Sequence, residues 1–252
     1  MAPYSIWMKV QNHKEMRWVT DKIMLNLIPG VLQIVVLLSG PVDANCNPGN
    51  FEEEIRQYEE SDSAHPPTLR SVVFVGSSSI RMWETLEEDF PGLPVINRGF
   101  GGCEMEDVVW YANRIVLPYQ PKTVIVYAGD NDLANGKSVE KVLLDCKALV
   151  KRIRDSDPTT RIGFILIKPS PSRWHLEPEI RNLNNTIREY CNSDEGLFYV
   201  DVFTPMLDTD QLPRNELFLE DQLHMNRDGY RLWRDAVKPF LMRVDQPHPE
   251  AR

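Results

Sequence analysis

The chain of 252 residues is long enough for one sizeable domain with appendages and too short for two enzyme-sized ones. With 42% hydrophobic and 26% charged residues, it has the make-up of an ordinary globular protein rather than a disordered, collagenous or multi-span membrane one. A net charge of -9 argues against nucleic acid or an anionic membrane surface as the main partner, because both reward clustered Lys and Arg; a small neutral or cationic substrate fits better.

The first segment, 1–44, carries Lys9, Lys14, Arg17 and Lys22, then the apolar run 31–38, then Val42 and Ala44 at the minus-three and minus-one positions of a cleavage site. This order predicts a secretory signal cleaved after Ala44 and export to the periplasm or the exterior. The dense apolar run is too short to span a bilayer, and Asn26, Pro29 and Gln33 interrupt any longer one. The basic region is long for a signal, which fits translation starting at Met16 or Met24. An uncleaved N-terminal anchor, which would be the chain's one link to a membrane, and a core element of a cytoplasmic fold remain as alternatives. Residues 45–69 read as a polar lead-in with one short helix at about 51–60, a linker and flank rather than a domain. The main domain is predicted at 70–243, followed by a tail at 244–252.

From Ser71 onward, short β-branched runs alternate with longer amphipathic stretches. Strands are predicted at 71–75, 94–96, 123–128, 161–167 and 197–202. The clearest helix spans 138–156, where Val139, Val142, Leu143, Cys146, Leu149, Val150 and Ile153 fall on one face. A second carries Ile180, Leu183, Ile187 and Tyr190, and a last one carries Tyr230, Trp233 and Val237. Each parallel return needs a crossover, so the alternation predicts a three-layer α/β sandwich around a parallel sheet of about five strands. In such a sheet ligands bind at the carboxyl ends of the strands, which directs attention to the loops beginning at Gly76, Asn97, Gly129 and Lys168.

Ser78 lies two residues past Gly76 in a tight strand-to-helix turn, a setting that exposes a hydroxyl where a helix N-terminus favours a developing oxyanion. A serine cluster after a strand is also an ordinary helix cap. The Gly-x-Ser-x-Gly elbow is absent, because Ile80 occupies its last position, and no P-loop follows any glycine run. A serine nucleophile needs a base, and the base needs an orienting acceptor. Of five histidines, His13 precedes the cleavage site, His65 and His248 are flanked by Pro, and His175 sits in a Pro/Ser-rich loop. His224 follows Asp221 by three residues, just before a helix that Asn226 is placed to cap. Asn97 to Gly102 offers a glycine N–H as an oxyanion donor, and Asn131 in Gly129-Asp130-Asn131-Asp132 offers a side-chain amide. Each feature alone is an ordinary turn. The acidic run lacks the glycine and terminal Glu of a calcium loop, and the four cysteines (Cys46, Cys103, Cys146, Cys191) lack finger spacing, so neither calcium nor zinc is expected. Cys146 and Cys191 fall on apolar helix faces and read as buried thiols.

Taken in order, the four blocks at 76–80, 97–102, 129–132 and 221–224 resemble those of the SGNH/GDSL hydrolase superfamily, over about residues 70–240. The resemblance implies a flavodoxin-like sheet and a serine ester hydrolase without metal or organic cofactor. It implies Ser78 as nucleophile, His224 as general base and then acid, Asp221 as orienting carboxylate, and an oxyanion hole from the Ser78 and Gly102 N–H groups and the Asn131 side chain. Within the superfamily the chain looks like the platelet-activating-factor acetylhydrolase type, which implies short acyl chains. Two departures stand out: Ser77 replaces a frequent Asp, and Asp130 replaces a frequent second Gly, putting a carboxylate beside an oxyanion donor with the prospect of altered substrate choice or like-charge repulsion. Ser77, Trp83, Phe100, Asp130 and Trp174 are candidate pocket residues, with Trp110 as a further aromatic; aromatics at these positions also suit a core. The substrate is expected to be a small-molecule or glycan ester. A carbohydrate O-acetyl esterase, an O-acetyltransferase using the same triad, and a catalytically silent binding module are the alternatives.

Overall fold

The computed structural model describes residues 51–242 and, separately, the backbone of residues 27–28 and 31–32. The latter form a short antiparallel hairpin, β1 (Leu27–Ile28) with β2 (Val31–Leu32). The expected cleavage site at Ala44, Cys46 and the tail at 244–252 lie outside the described residues.

Five parallel strands build the sheet: β3 (Val72–Gly76), β4 (Val95–Gly99), β5 (Thr123–Tyr127), β6 (Arg161–Ile165) and β7 (Leu197–Val200). Their order is β4-β3-β5-β6-β7, the doubly wound, flavodoxin-like arrangement whose switch point lies beside the first strand. Every residue of β3 and β5 is buried, as expected of central strands covered on both faces. Gly163 in β6 is required by packing, because a Cβ there would lie 2.3 Å from the Phe198 ring.

Helices cover the sheet: α1 (Glu52–Ala64), α2 (Ser78–Arg81), α3 (Leu86–Asp89), α4 (Met105–Ile115), α5 (Asp130–Ala134), α6 (Val139–Ser156), α7 (Glu177–Asn192) and α8 (Arg227–Met242). On one face Trp83, Phe90 and Trp233 pack against Phe74 and Tyr127 of the central strands. The other layer is a row in which α1 packs on α4, α4 on α6 and α6 on α7. The apolar stripe of α6 is buried at Val139, Val142, Cys146, Leu149, Val150 and Ile153, while Leu143 is half-buried, and the Ser138 hydroxyl caps the helix by accepting the Lys141 N–H at 3.3 Å.

Strands β6 and β7 each end two residues before the expected bounds, and the short helices α3 and α5 are not among the predicted elements; three larger features also differ from the sequence-based expectation. Strand β4 runs on through Asn97, Arg98 and Gly99, because Asn97 satisfies its own polarity by donating to Ile80 O at 2.7 Å and accepting the Gly99 N–H at 2.9 Å. Helix α4 was not among the predicted elements; its start is marked by Asp107, whose carboxylate accepts the Glu104 N–H at 2.9 Å. Helix α1 is longer than expected and is docked rather than a loose flank. Ile55 is fully buried, Phe51 meets Phe100 edge-on with centroids 5.1 Å apart, and Arg114 forks onto Glu52 and Glu59.

Candidate active site

Strand β3 ends at Gly76, whose φ of 142° and position beside β5 suit only glycine: a Cβ would lie 1.9 Å from Tyr127 O. The next residue donates its N–H to that same carbonyl at 2.9 Å, and the chain turns into the single-turn helix α2. The turn is held from outside as well, with the Tyr230 hydroxyl donating to Ser79 O at 3.0 Å. Ser77 and Ser79 are buried, at 1% exposure each, while Ser78 is half-buried. Of the three hydroxyls, Ser78 alone is reachable from solvent. One turn of helix supplies local N–H donors rather than the macrodipole of a long helix.

The Asp221–His224 segment is a tight turn with Gln222 at φ 55°. Asp221 Oδ1 accepts the N–H groups of Leu223 and His224, each at 2.9 Å, and Oδ2 lies 2.6 Å from His224 Nδ1. His224 Nε2 lies 2.9 Å from Ser78 Oγ. Burial works against the Asp221 charge, but the His224 ring and the two backbone donors outweigh it and hold the carboxyl down at about 2. An ionised Asp221 requires the proton on Nδ1, which leaves Nε2 as the acceptor of the Ser78 hydroxyl. Asn226 then caps α8, accepting the N–H groups of Asp228 at 3.0 Å and Gly229 at 3.2 Å, and so fixes where the turn ends.

The loop leaving β4 lies against α2: Phe100 N–H donates to Gly76 O at 2.9 Å, and a Cβ on Gly101 would meet the Arg81 guanidinium at 2.8 Å. Gly102 follows at φ 81° with open space where a side chain would point. Asn131, in α5, donates from Nδ2 to Cys103 O at 2.9 Å, which ties the second oxyanion candidate to the first. Its Oδ1 accepts from Arg173 Nη2 at 2.8 Å.

Asp130 does not line an open pocket. It is 5% exposed, and its Oδ2 meets Lys168 Nζ at 3.1 Å, the donating Tyr127 hydroxyl at 3.1 Å and Arg173 Nη1 at 3.2 Å. Burial opposes its charge, yet Lys168 and then Arg173 outweigh that penalty and lower its pKa. The prospect of like-charge repulsion beside the candidate oxyanion donors is therefore removed by two cations. Lys168 is itself 1% exposed, donates to the Ser79 and Tyr127 hydroxyls at 3.1 and 3.0 Å, and is pulled below its ordinary pKa by burial.

The other pocket candidates divide. Ser77 is buried under the turn, Trp83 sits among Phe74, Phe90, Tyr230 and Trp233, and Phe100 sits between Phe51 and Tyr111. These are core positions, because each ring is enclosed by other rings. Trp174 is half-buried and stacks on Phe203, and Trp110 is exposed on α4. Cys103, Cys146 and Cys191 are buried free thiols. Sequence reasoning passed over Lys168 and Arg173; the one hint is a lone lysine directly after the apolar end of a strand. Among the described residues, no helix is long and apolar enough to cross a membrane.

A doubly wound sheet carrying a linked Ser, His and Asp at its carboxyl edge has the architecture of a hydrolase. The sequence profile of the GDSL-like lipase/acylhydrolase family matches residues 74–232, more than half of the chain, and the protein belongs to that family of ester hydrolases. Among solved structures, a candidate platelet activating factor from Streptococcus pneumonia superposes with a TM-score of 0.67 at 20% identity, covering 75% of this chain and 92% of its own. A GDSL-like lipase from Bacteroides thetaiotaomicron gives 0.65 at 18% identity, covering 75% and 98%. The family 3 carbohydrate esterase of Clostridium thermocellum gives 0.55 at 16% identity, covering 71% and 100%. At these identities the likeness is one of fold. No curated protein matches the sequence.

Proposed function

We propose that the protein hydrolyses short-chain carboxylic esters through an acyl-enzyme formed on Ser78. The reading rests on the continuous hydrogen-bonded line from Ser78 Oγ through both nitrogens of His224 to Asp221. In the first half-reaction His224 Nε2 takes the hydroxyl proton as Ser78 Oγ attacks the ester carbonyl. The Ser78 and Gly102 N–H groups and Asn131 Nδ2 receive the oxyanion. The bond to the alcohol oxygen then breaks, His224 protonates the departing alcohol, and the acyl group stays on Ser78. In the second half-reaction His224 deprotonates a water that attacks the acyl carbon; the bond from that carbon to Ser78 Oγ then breaks, His224 returns the proton to Oγ, and the carboxylic acid leaves. The ionised Asp221 stabilises the imidazolium formed in each half-reaction.

Burial of Trp83 and Phe100 supports a short acyl group, since these two of the candidate rings are used in the core, while Trp174 stays half-buried. A panel of p-nitrophenyl esters from acetate to octanoate, run beside acetylated xylan with Ser78→Ala as control, tests the reading. Acetate should give the highest kcat/KM, and the Ser78→Ala protein should be inactive. Turnover retained by that variant overturns the nucleophile, a rise in kcat/KM with chain length overturns the acyl preference, and a preference for xylan moves the substrate to glycan acetates.

A further inference from the structure

The segment after β6 reaches both halves of the site. Asn184 of α7 clamps its base, accepting the Ile167 N–H at 2.7 Å and donating to Ile167 O at 3.0 Å. Further on, Ser172 N–H donates to Gln222 O at 3.0 Å, inside the turn that carries Asp221 and His224. The next residue, Arg173, faces the opposite way, toward the Asn131 amide and the Asp130 carboxylate. Its side chain is 18% exposed.

We propose that Arg173 is a positioning residue for the oxyanion hole, acting through the Asn131 side chain. The inference rests on the ester-hydrolysis reading above. A primary amide has an oxygen end and a nitrogen end of nearly equal size, and only the nitrogen end donates. The charge-assisted bond from Arg173 Nη2 holds the oxygen end, one Nδ2–H is spent on Cys103 O, and the second Nδ2–H is left for the oxyanion. The same guanidinium places positive charge behind the amide, in the direction that strengthens it as a donor. Its second arm, Nη1, lies 3.2 Å from Asp130 Oδ2 and shares with Lys168 the neutralisation of that carboxylate. Planarity is essential to this arrangement: a guanidinium fork spans an amide oxygen and a carboxylate together, whereas one ammonium does not.

The test compares Arg173→Met, Arg173→Lys and Asn131→Ala on p-nitrophenyl acetate, with thermal melting of each. Loss of an oxyanion donor costs on the order of 10²–10³ in kcat, so Asn131→Ala should fall in that range. Misplacing a donor costs less, and Arg173→Met should lower kcat about 10- to 100-fold with KM little changed. Arg173→Lys should recover the melting temperature, since it still neutralises Asp130, while its kcat stays at least about 10-fold down. In the Asn131→Ala background Arg173→Met should cost nothing further. Full kcat in Arg173→Lys, or an undiminished effect of Arg173→Met without Asn131, overturns the proposal. If Arg173→Met does not fold, the Arg173→Lys and Asn131→Ala cycle decides by the same criteria. Full turnover by Asn131→Ala removes the oxyanion-hole reading itself; a slow Asn131→Ala beside a fully active Arg173→Lys removes only the role of Arg173.

Discussion

Asp89, the last residue of α3, ties the chain just after Ser78 to the helix just after His224. Its Oδ2 accepts from Trp83 Nε1 at 2.8 Å, Thr85 Oγ1 at 2.8 Å and Arg227 Nη1 at 2.7 Å, and its Oδ1 accepts from Arg227 Nη2 at 2.7 Å. The side chain is 1% exposed. Burial resists the charge, but Arg227, Trp83 and Thr85 together outweigh it and bring the carboxyl from 3.8 down to about 2. At ~1.4 kcal/mol per pH unit, that depression corresponds to ~2–3 kcal/mol of stability. Arg227 is partly exposed, and solvent screening trims the figure to ~2 kcal/mol. Asp89→Asn keeps the shape and loses the charge, so at pH 7 it should melt about 4–8 °C below the wild type, as expected for a chain of this size. Because the folded carboxyl is depressed, its contribution is complete above the unfolded value of 3.8 and disappears as the pH falls through about 2. The gap between variant and wild type should therefore be full at pH 7 and nearly closed at pH 2, measured by calorimetry with urea titrations as a check. Equal melting at pH 7, or a gap that persists undiminished at pH 2, would refute the reasoning.

Asp221→Asn should lower kcat by about 10⁴ with KM nearly unchanged, because an amide facing Nδ1 favours the imidazole tautomer that protonates Nε2; steady-state kinetics on p-nitrophenyl acetate reads this directly. Gly76→Ala places a Cβ 1.9 Å from a backbone oxygen at a positive φ, and should cost at least ~3 kcal/mol, seen as insolubility or a large drop in melting temperature. Gly102→Ala meets no atom and carries only the strain of φ 81°, about 1 kcal/mol, so its melting temperature should fall by only a few degrees.

Much of this architecture is legible in the sequence because it rests on local signals. The five strands announce themselves as β-branched runs, and the faces of α6, α7 and α8 follow helical periodicity. Ser78, Asp221 and His224 are legible through order along the chain, and the structure brings these three side chains into hydrogen-bond contact. The features that escaped are long-range. Arg173 and Lys168 meet Asn131 and Asp130 from about 40 residues away in sequence, and a cation in a Pro/Ser-rich loop has no periodicity to give it away. Asp130 is misread for the same reason: its two neutralising partners belong to another loop. Trp83 and Phe100 show the converse, since proximity in sequence to a reactive loop says nothing about which way a ring packs. Helix α4 had usable signs, with Asp107 three residues past Glu104 and Val108, Tyr111, Ala112 and Ile115 at helical spacing; all four of the latter are buried.

Covalent trapping of the nucleophile decides the mechanism with the least intervening inference. The protein is treated with a fluorophosphonate and its mass measured intact and after digestion, beside Ser78→Ala and His224→Ala. One phosphonyl group should be found, on the peptide containing Ser78, at a rate strongly reduced in His224→Ala and with no label in Ser78→Ala. Label on Ser77, Ser79 or elsewhere, or unchanged labelling of Ser78→Ala, would contradict the assignment of Ser78 as the acyl-accepting residue.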